Sequence, residues 1–184
     1  MKTKTIILNS VLILATVGFY SFKLLSTAWT VNATDAKIAF DMPNGKHNGT
    51  IGNLTSTFQF DPMDPSKSVL VASVDVNSIK TDAGDRLDGH LQTADFFDAA
   101  NHPKITFTSD SIMKTDSGFV AMGKLAMRDS IHPIKVPFAF VQDGNKATFK
   151  GSMDLFAGDY GVGKKSPNGN DRVVITIEVP VIKE

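Results

Sequence analysis

The stretch GDRLDGHLQTADFFDAANHPKITFTS, from Gly84 to Ser109, sets two different periodicities side by side. Over the thirteen residues from Asp85 to Phe97, Leu87, Leu91 and Ala94 recur at spacings of four and three, and Phe97 extends the stripe. That spacing predicts a helix. Gly89 lowers helix propensity by about 1 kcal/mol relative to Ala, so the helix is expected to be short or broken. At full length it would reach about 20 Å, enough to lie across one end of a barrel. His102-Pro103 stops it, because the residue before proline is pushed out of the α region. Ile105 and Phe107 then alternate with Lys104, Thr106 and Thr108, the period of a half-buried strand.

Outward from this stretch, period two governs the chain. Ile38, Phe40 and Met42 form one face, as do Leu70, Ala72, Val74 and Val76. Further runs follow at Phe119 to Leu125, Ile134 to Phe140, Ala147 to Met153 and Val173 to Val181. Turn chemistry separates them at Asn44-Gly45, Asp61-Pro62, Asp64-Pro65, Asp116-Ser117-Gly118, Asp143-Gly144 and Asn168-Gly169. The reading is all-β, with eight or nine antiparallel strands and one inserted helix. A sandwich and a closed barrel both fit. An eight-stranded barrel can be filled by side chains or can enclose one small ligand, and size does not choose between them.

Residues 1–28 read as a signal peptide. Lys2 and Lys4 precede an apolar run from Ile6 to Phe22, and Ser26-Thr27-Ala28 supplies the small residues of a cleavage site after Ala28. The rival reading is an uncleaved anchor, although a run of about 17 residues is at the short limit for spanning. Of the 19 basic residues, Lys2, Lys4 and Lys23 lie in this segment with no acid, so residues 29–184 carry 16 basic against 19 acidic residues, a net charge of −3. Phosphate binding needs a basic face, so this balance argues against nucleic acid. Residues 29–184 make one domain. An exported chain without cysteine must draw its stability from its core, which favours a bacterial envelope protein, periplasmic or secreted.

Several segments carry a resemblance. Arg86, Asp88, His90 and Leu91 give a near form of an Arg-Asp-x-His-Leu turn. Asp95-Phe96-Phe97-Asp98 is followed by Pro103 and the strand Lys104-Ile105-Thr106-Phe107-Thr108-Ser109. Trp29-Thr30-Val31, Phe60-Asp61-Pro62, the run from Val74 to Thr81, and Asp159-Tyr160-Gly161-Val162-Gly163 complete the pattern. Over residues 29–182 the chain resembles the YceI-like family of exported bacterial proteins. One region departs: the family's Gly-x-Leu-Thr-Ile-x-Gly-x-Thr-x-Pro-Val is replaced by the run from Gly123 to Ile134, which keeps the strand pair but loses the polar Thr and the turn Gly. The resemblance implies an extended lipocalin-like eight-stranded antiparallel barrel with one short inserted helix. It also implies a long apolar ligand in the lumen, a polyisoprenoid or fatty-acid derivative, although other members have no established ligand.

The residues themselves bear on that implication in part. Thirteen Phe stand beside one Trp and two Tyr, and Phe fills apolar volume without a polar handle. By itself such a set favours a filled core over a lined tunnel made adaptable by Met42, Met127 and Met153; the resemblance reverses that preference. The candidate lining is Phe58, Phe60, Phe107, Phe119, Phe138 and Phe140, with Leu91 and Phe97 from the helical stretch. Arg86 and His90 are candidate contacts for a ligand head group; the alternative is that this turn is purely structural. His47, His90, His102 and His132 share no metal-ligand spacing, and no catalytic elbow, phosphate loop or dinucleotide fingerprint occurs. The expected function is therefore non-catalytic binding, transport or storage of an apolar chain. Neither cofactor nor metal is expected, and transient membrane contact and a monomer or homodimer remain open. The rivals are a filled-barrel structural or interaction module and, more remotely, an enzyme.

Overall fold

The computed structural model describes residues 27–43 and 47–184. The expected leader, apart from Thr27 and Ala28, and the Asn44-Gly45 turn lie outside the described residues. Eleven strands form one antiparallel sheet: β1 (Ala28–Val31), β2 (Lys37–Asp41), β3 (Asn48–Ile51), β4 (Thr55–Gln59), β5 (Val69–Asp75), β6 (Lys80–Thr81), β7 (Lys104–Thr115), β8 (Gly118–Met127), β9 (Ser130–Asp143), β10 (Lys146–Phe156) and β11 (Arg172–Lys183). Helix α1 (Asp85–Leu91) lies between β6 and β7.

The eleven segments make eight staves. β1 pairs with both β4 and β11, which closes the ring β1-β4-β5-β7-β8-β9-β10-β11. Further along β11, Val174 to Glu178 leave β1 and pair with β2. β2 pairs with β3, and β3 with β6. Thus β1–β2, β3–β4 and β5–β6 are three long strands, each broken once. Asn53, with φ of 53°, marks the break between β3 and β4, where the Gly52 N–H donates to Ser78 Oγ at 2.7 Å. Such breaks let the narrow closed end flare into a wider one, where β6 pairs only with β3 and the ladder does not close onto β7.

Alternation fixes what faces inward. Phe119, Ala121 and Leu125 on β8, Val136 and Phe138 on β9, Phe149 on β10, and Val179 and Val181 on β11 are all buried. A bulge in β7 between Ser109 and Ser111 shifts the parity by one residue. Ile112 is thereby buried, while Phe107, on the other parity, also faces the core.

The narrow end is filled by aromatic rings. Phe60 is fully buried and meets Phe119, Phe138, Phe140 and Phe149 with centroid separations of 4.9–5.5 Å. Trp29 Nε1 donates to the Phe60 carbonyl at 2.9 Å, and the Trp29 ring stands edge-on to Phe140 at 5.0 Å. Edge-to-face pairs of this kind add about 0.5–1.5 kcal/mol each beyond area burial.

The helix is shorter than its spacing predicted. It stops at Leu91, where the Thr93 hydroxyl caps the His90 carbonyl at 2.8 Å. The chain then doubles back: the Phe97 N–H donates to the Leu91 carbonyl, and Asp98 takes a left-handed φ of 49°. Thr and Asp compete with helical hydrogen bonding through their own side chains, so the stripe from Leu91 to Phe97 continues on turns. Replacing Phe60 by Ala should cost about 3–5 kcal/mol, read as a lower denaturant midpoint in equilibrium unfolding.

Candidate functional site

At the flared end the barrel holds a cavity of about 290 Å³. Its wall is built from inward positions of four elements: Phe40 and Met42, Ile105, Leu155, and Val173 with Ile175. Leu91, Phe96 and Phe97 from the helical segment close one side, and Val162 and Gly163 from the loop after β10 close another. Phe40, Ile105 and Ile175 face inward yet remain only half-buried. In a filled barrel such positions would be fully buried, so their residual surface lies over the void. Polar groups enter only at one rim, from Lys164, Ser166, Asn170 and Asp171.

A second, smaller cavity of about 90 Å³ lies deeper in the barrel. Phe58, Phe107 and Phe138 border it, together with Ile38, Met153 and Ile177.

The candidate lining residues therefore separate into three places. Leu91 and Phe97 border the large cavity. Phe58, Phe107 and Phe138 border the small one. Phe60, Phe119 and Phe140 border neither; they belong to the aromatic cluster at the narrow end. Met42, which the sequence offers with Met127 and Met153 as adaptable lining of a tunnel, borders the large cavity, as does Met127. Phe40 and Phe96 border it too and are not among the candidate lining; for Phe40 the signal is present, since it lies on the alternating face of β2.

The polar turn is organised around Asp88. Its carboxylate accepts from the Thr81 N–H at 2.7 Å and from the Thr81 hydroxyl at 2.8 Å, and lies 3.1 Å from Lys80 Nζ. The Thr81 hydroxyl first, then the Thr81 N–H and Lys80, hold this carboxyl below its ordinary 3.8, against the opposing effect of burial. Asp88 thus ties α1 to β6. Arg86 and His90 are both exposed and lie on a shallow outer groove with His47 and Thr93. Neither borders the large cavity, although the His90 ring packs edge-on against Phe96 at 4.7 Å.

The contact that joins the two sides of the mouth comes from the divergent hairpin. Met127 pairs with Ser130, leaving Arg128-Asp129 as a two-residue turn in which Arg128 adopts a left-handed φ of 53°. From there its guanidinium donates to the Phe96 carbonyl on one side and the Gly161 carbonyl on the other. Asp129 lies 3.4 Å from His102 Nε2, and His132 Nε2 donates to the Asp159 carbonyl at 3.0 Å. Burial, then neighbouring Asp159, raises the Tyr160 phenol above its ordinary value of 10.0. Among the described residues no group of three or more His, Cys, Asp or Glu side chains is arranged to hold a metal.

The match to the YceI-like domain extends over residues 29–181, the whole of this barrel. The chain belongs to the YceI-like family. A UPF0312 protein of Azotobacter vinelandii is 26% identical over 143 residues, covering 74% of each chain. Protein YceI of Salmonella arizonae is 30% identical over 97 residues, 53% of this chain. With that relative and with a UPF0312 protein of Pectobacterium atrosepticum, the match spans 50% of the relative's length. Among solved structures, BcnA of Burkholderia cenocepacia superposes with a TM-score of 0.74 at 23% identity, over 82% of this chain and 99% of its own. A polyisoprenoid binding domain from Saccharophagus degradans gives 0.61 at 12% identity, over 87% and 99%. These likenesses establish a closed eight-stranded YceI-like barrel.

Two outcomes follow from the rim contacts. Asp88 contributes stability that is complete above pH 3.8 and is lost as pH falls through its lower folded value. Asp88→Asn should therefore lower stability at neutral pH and flatten the acid limb of unfolding followed by circular dichroism. Arg128→Ala should speed amide exchange at Phe97 and Gly163, beside the two carbonyls it releases, while leaving the Phe60 region protected.

Proposed function

We propose that this YceI-like protein binds a long apolar molecule in the lumen and carries or stores it without chemical change. The observation that carries the reading is the apolar cavity of about 290 Å³ at the flared end, with polar groups only at a rim formed by the loop after β10. The name of the Saccharophagus degradans neighbour, a polyisoprenoid binding domain, points to the same ligand class. Burying each methylene contributes about 0.8 kcal/mol before ordering costs, so an apolar chain needs little polar recognition. A filled-barrel module describes the narrow end well, but it leaves the large cavity without a purpose.

The cavity wall supports a binding role over a catalytic one. Its side chains are aliphatic, aromatic or thioether apart from the rim groups, and the rim holds no hydroxyl or thiol set against a histidine base. A ligand head group would emerge beside Lys164, Ser166 and Asn170, away from Arg86. Ile131 and Phe156, at the same end of the barrel, are exposed, which suits brief contact with a bilayer surface. Lys2, Lys4 and the apolar run that follows support export to the periplasm or beyond.

Native mass spectrometry of protein from its own host, with lipid extraction, tests the reading. One long-chain species per protein is the expected result. Protein that emerges empty and also refuses prenyl and alkyl chains in titration would overturn it.

A further inference from the structure

The lumen is two voids stacked along the barrel, separated by a single layer of side chains. On four strands the borders change between neighbouring inward positions. Phe40 borders the large void and Ile38 the small one; Ile105 gives way to Phe107, Leu155 to Met153, and Ile175 to Ile177. Neighbouring inward positions lie about 6.6 Å apart along a strand, so the partition is one residue thick. Phe107 and Met153 pack against both the narrow-end core and the wide-end core. Phe107 also lies over Gly123, where a Cβ would stand 2.9 Å from its ring and 2.2 Å from the Thr108 carbonyl. The ring thus occupies space that a side chain at 123 would otherwise claim.

We infer that Phe107, supported by Met153, is the floor of the binding cavity and sets the length of chain that it accepts. The inference rests on the apolar-ligand reading above. An apolar cavity of about 150 Å³ holds one benzene, six carbons. By that scale the 290 Å³ void holds about twelve carbons, and the 90 Å³ void beneath the floor adds about four more. A longer ligand leaves its remainder at the mouth, unless the floor moves.

The experiment is a titration of the full chain with a homologous series of straight-chain alkyl alcohols, from about eight to about eighteen carbons. Affinity should rise about fourfold per methylene and level off near twelve carbons. In Phe107→Ala the levelling point should move out by about four carbons or more. Phe107→Leu, which disturbs the fold less, should move it in the same direction. Ala72 faces Phe107 across the β5–β7 ladder and borders the lower void, so adding Ala72→Leu to Phe107→Leu should move the point back. A levelling point that stays fixed in the folded Phe107→Leu protein would overturn the floor while leaving the carrier reading intact. Wild-type protein that binds no chain of any length would overturn the carrier reading itself, and the floor with it.

Discussion

Everything in this barrel depends on the closure at β1. The strand has only four residues, yet it must bond β4 on one side and β11 on the other. Short ladders of this kind are weak by themselves. What holds β1 in place is Trp29, whose ring is buried against Phe140 and whose indole N–H reaches the Phe60 carbonyl. The Thr27 and Ala28 carbonyls add bonds from the Phe60 and Glu184 N–H groups. Because Phe60 is itself wedged among four Phe rings, closing the ring and filling the narrow end are one event. A chain without cysteine has no covalent substitute for that packing.

Filling one end dictates that any void lies at the other. At the flared end β11 exchanges β1 for β2, and the broken strands carry the wall outward. The helical segment and the loop after β10 then cover an opening that strands alone leave unclosed. They meet through Arg128 on two carbonyls, the Gly163 N–H on the Asp95 carbonyl, and Phe96 and Phe97 packed into the cluster that holds Tyr160 and Val162. The rim has no counterpart of the ring cluster around Phe60, so it is expected to open at a lower free energy than the narrow end.

Much of this was legible in the sequence because alternation is a direct record of burial. The inward faces of β8 to β11 follow from period two, and the family resemblance supplied the closed ring. The β7 bulge was not legible, since Ser109-Asp110-Ser111 carries no Gly or Pro to break the strand and the parity shift shows only at Ile112. The short helix was expected, but where it ends was not legible, because apolar spacing from Leu91 to Phe97 is preserved on turns while Thr93 and Asp98 redirect the backbone. Arg128 was invisible as a mouth contact. Its role comes from a left-handed backbone conformation, which Asn, Asp and Gly announce in a sequence and arginine does not. The hairpin that departs from the family pattern is thus the one that supplies the contact across the rim. Finally, alternation places Phe60, Phe107 and Phe138 on one inward surface but contains no height along the barrel axis. Which of them plugs the end, and which borders a void, depends on strand tilt and stagger.

The lining of the upper void bears on its purpose. That wall is apolar, and the half-buried Phe40, Ile105 and Ile175 keep surface over the void that tighter packing would remove from water. Gly49 stands opposite Phe40 on the β2–β3 ladder, where an added Cβ would collide with the Lys80 carbonyl and the Phe40 ring, so the backbone leaves no room for a side chain there. At the narrow end Phe60 and the four rings around it occupy the corresponding space. One end of the barrel is closed by ring packing, and the other is lined with apolar side chains around a cavity. Under the proposed apolar-ligand reading, a bound chain would supply at the flared end the apolar contacts that the rings supply at the narrow one.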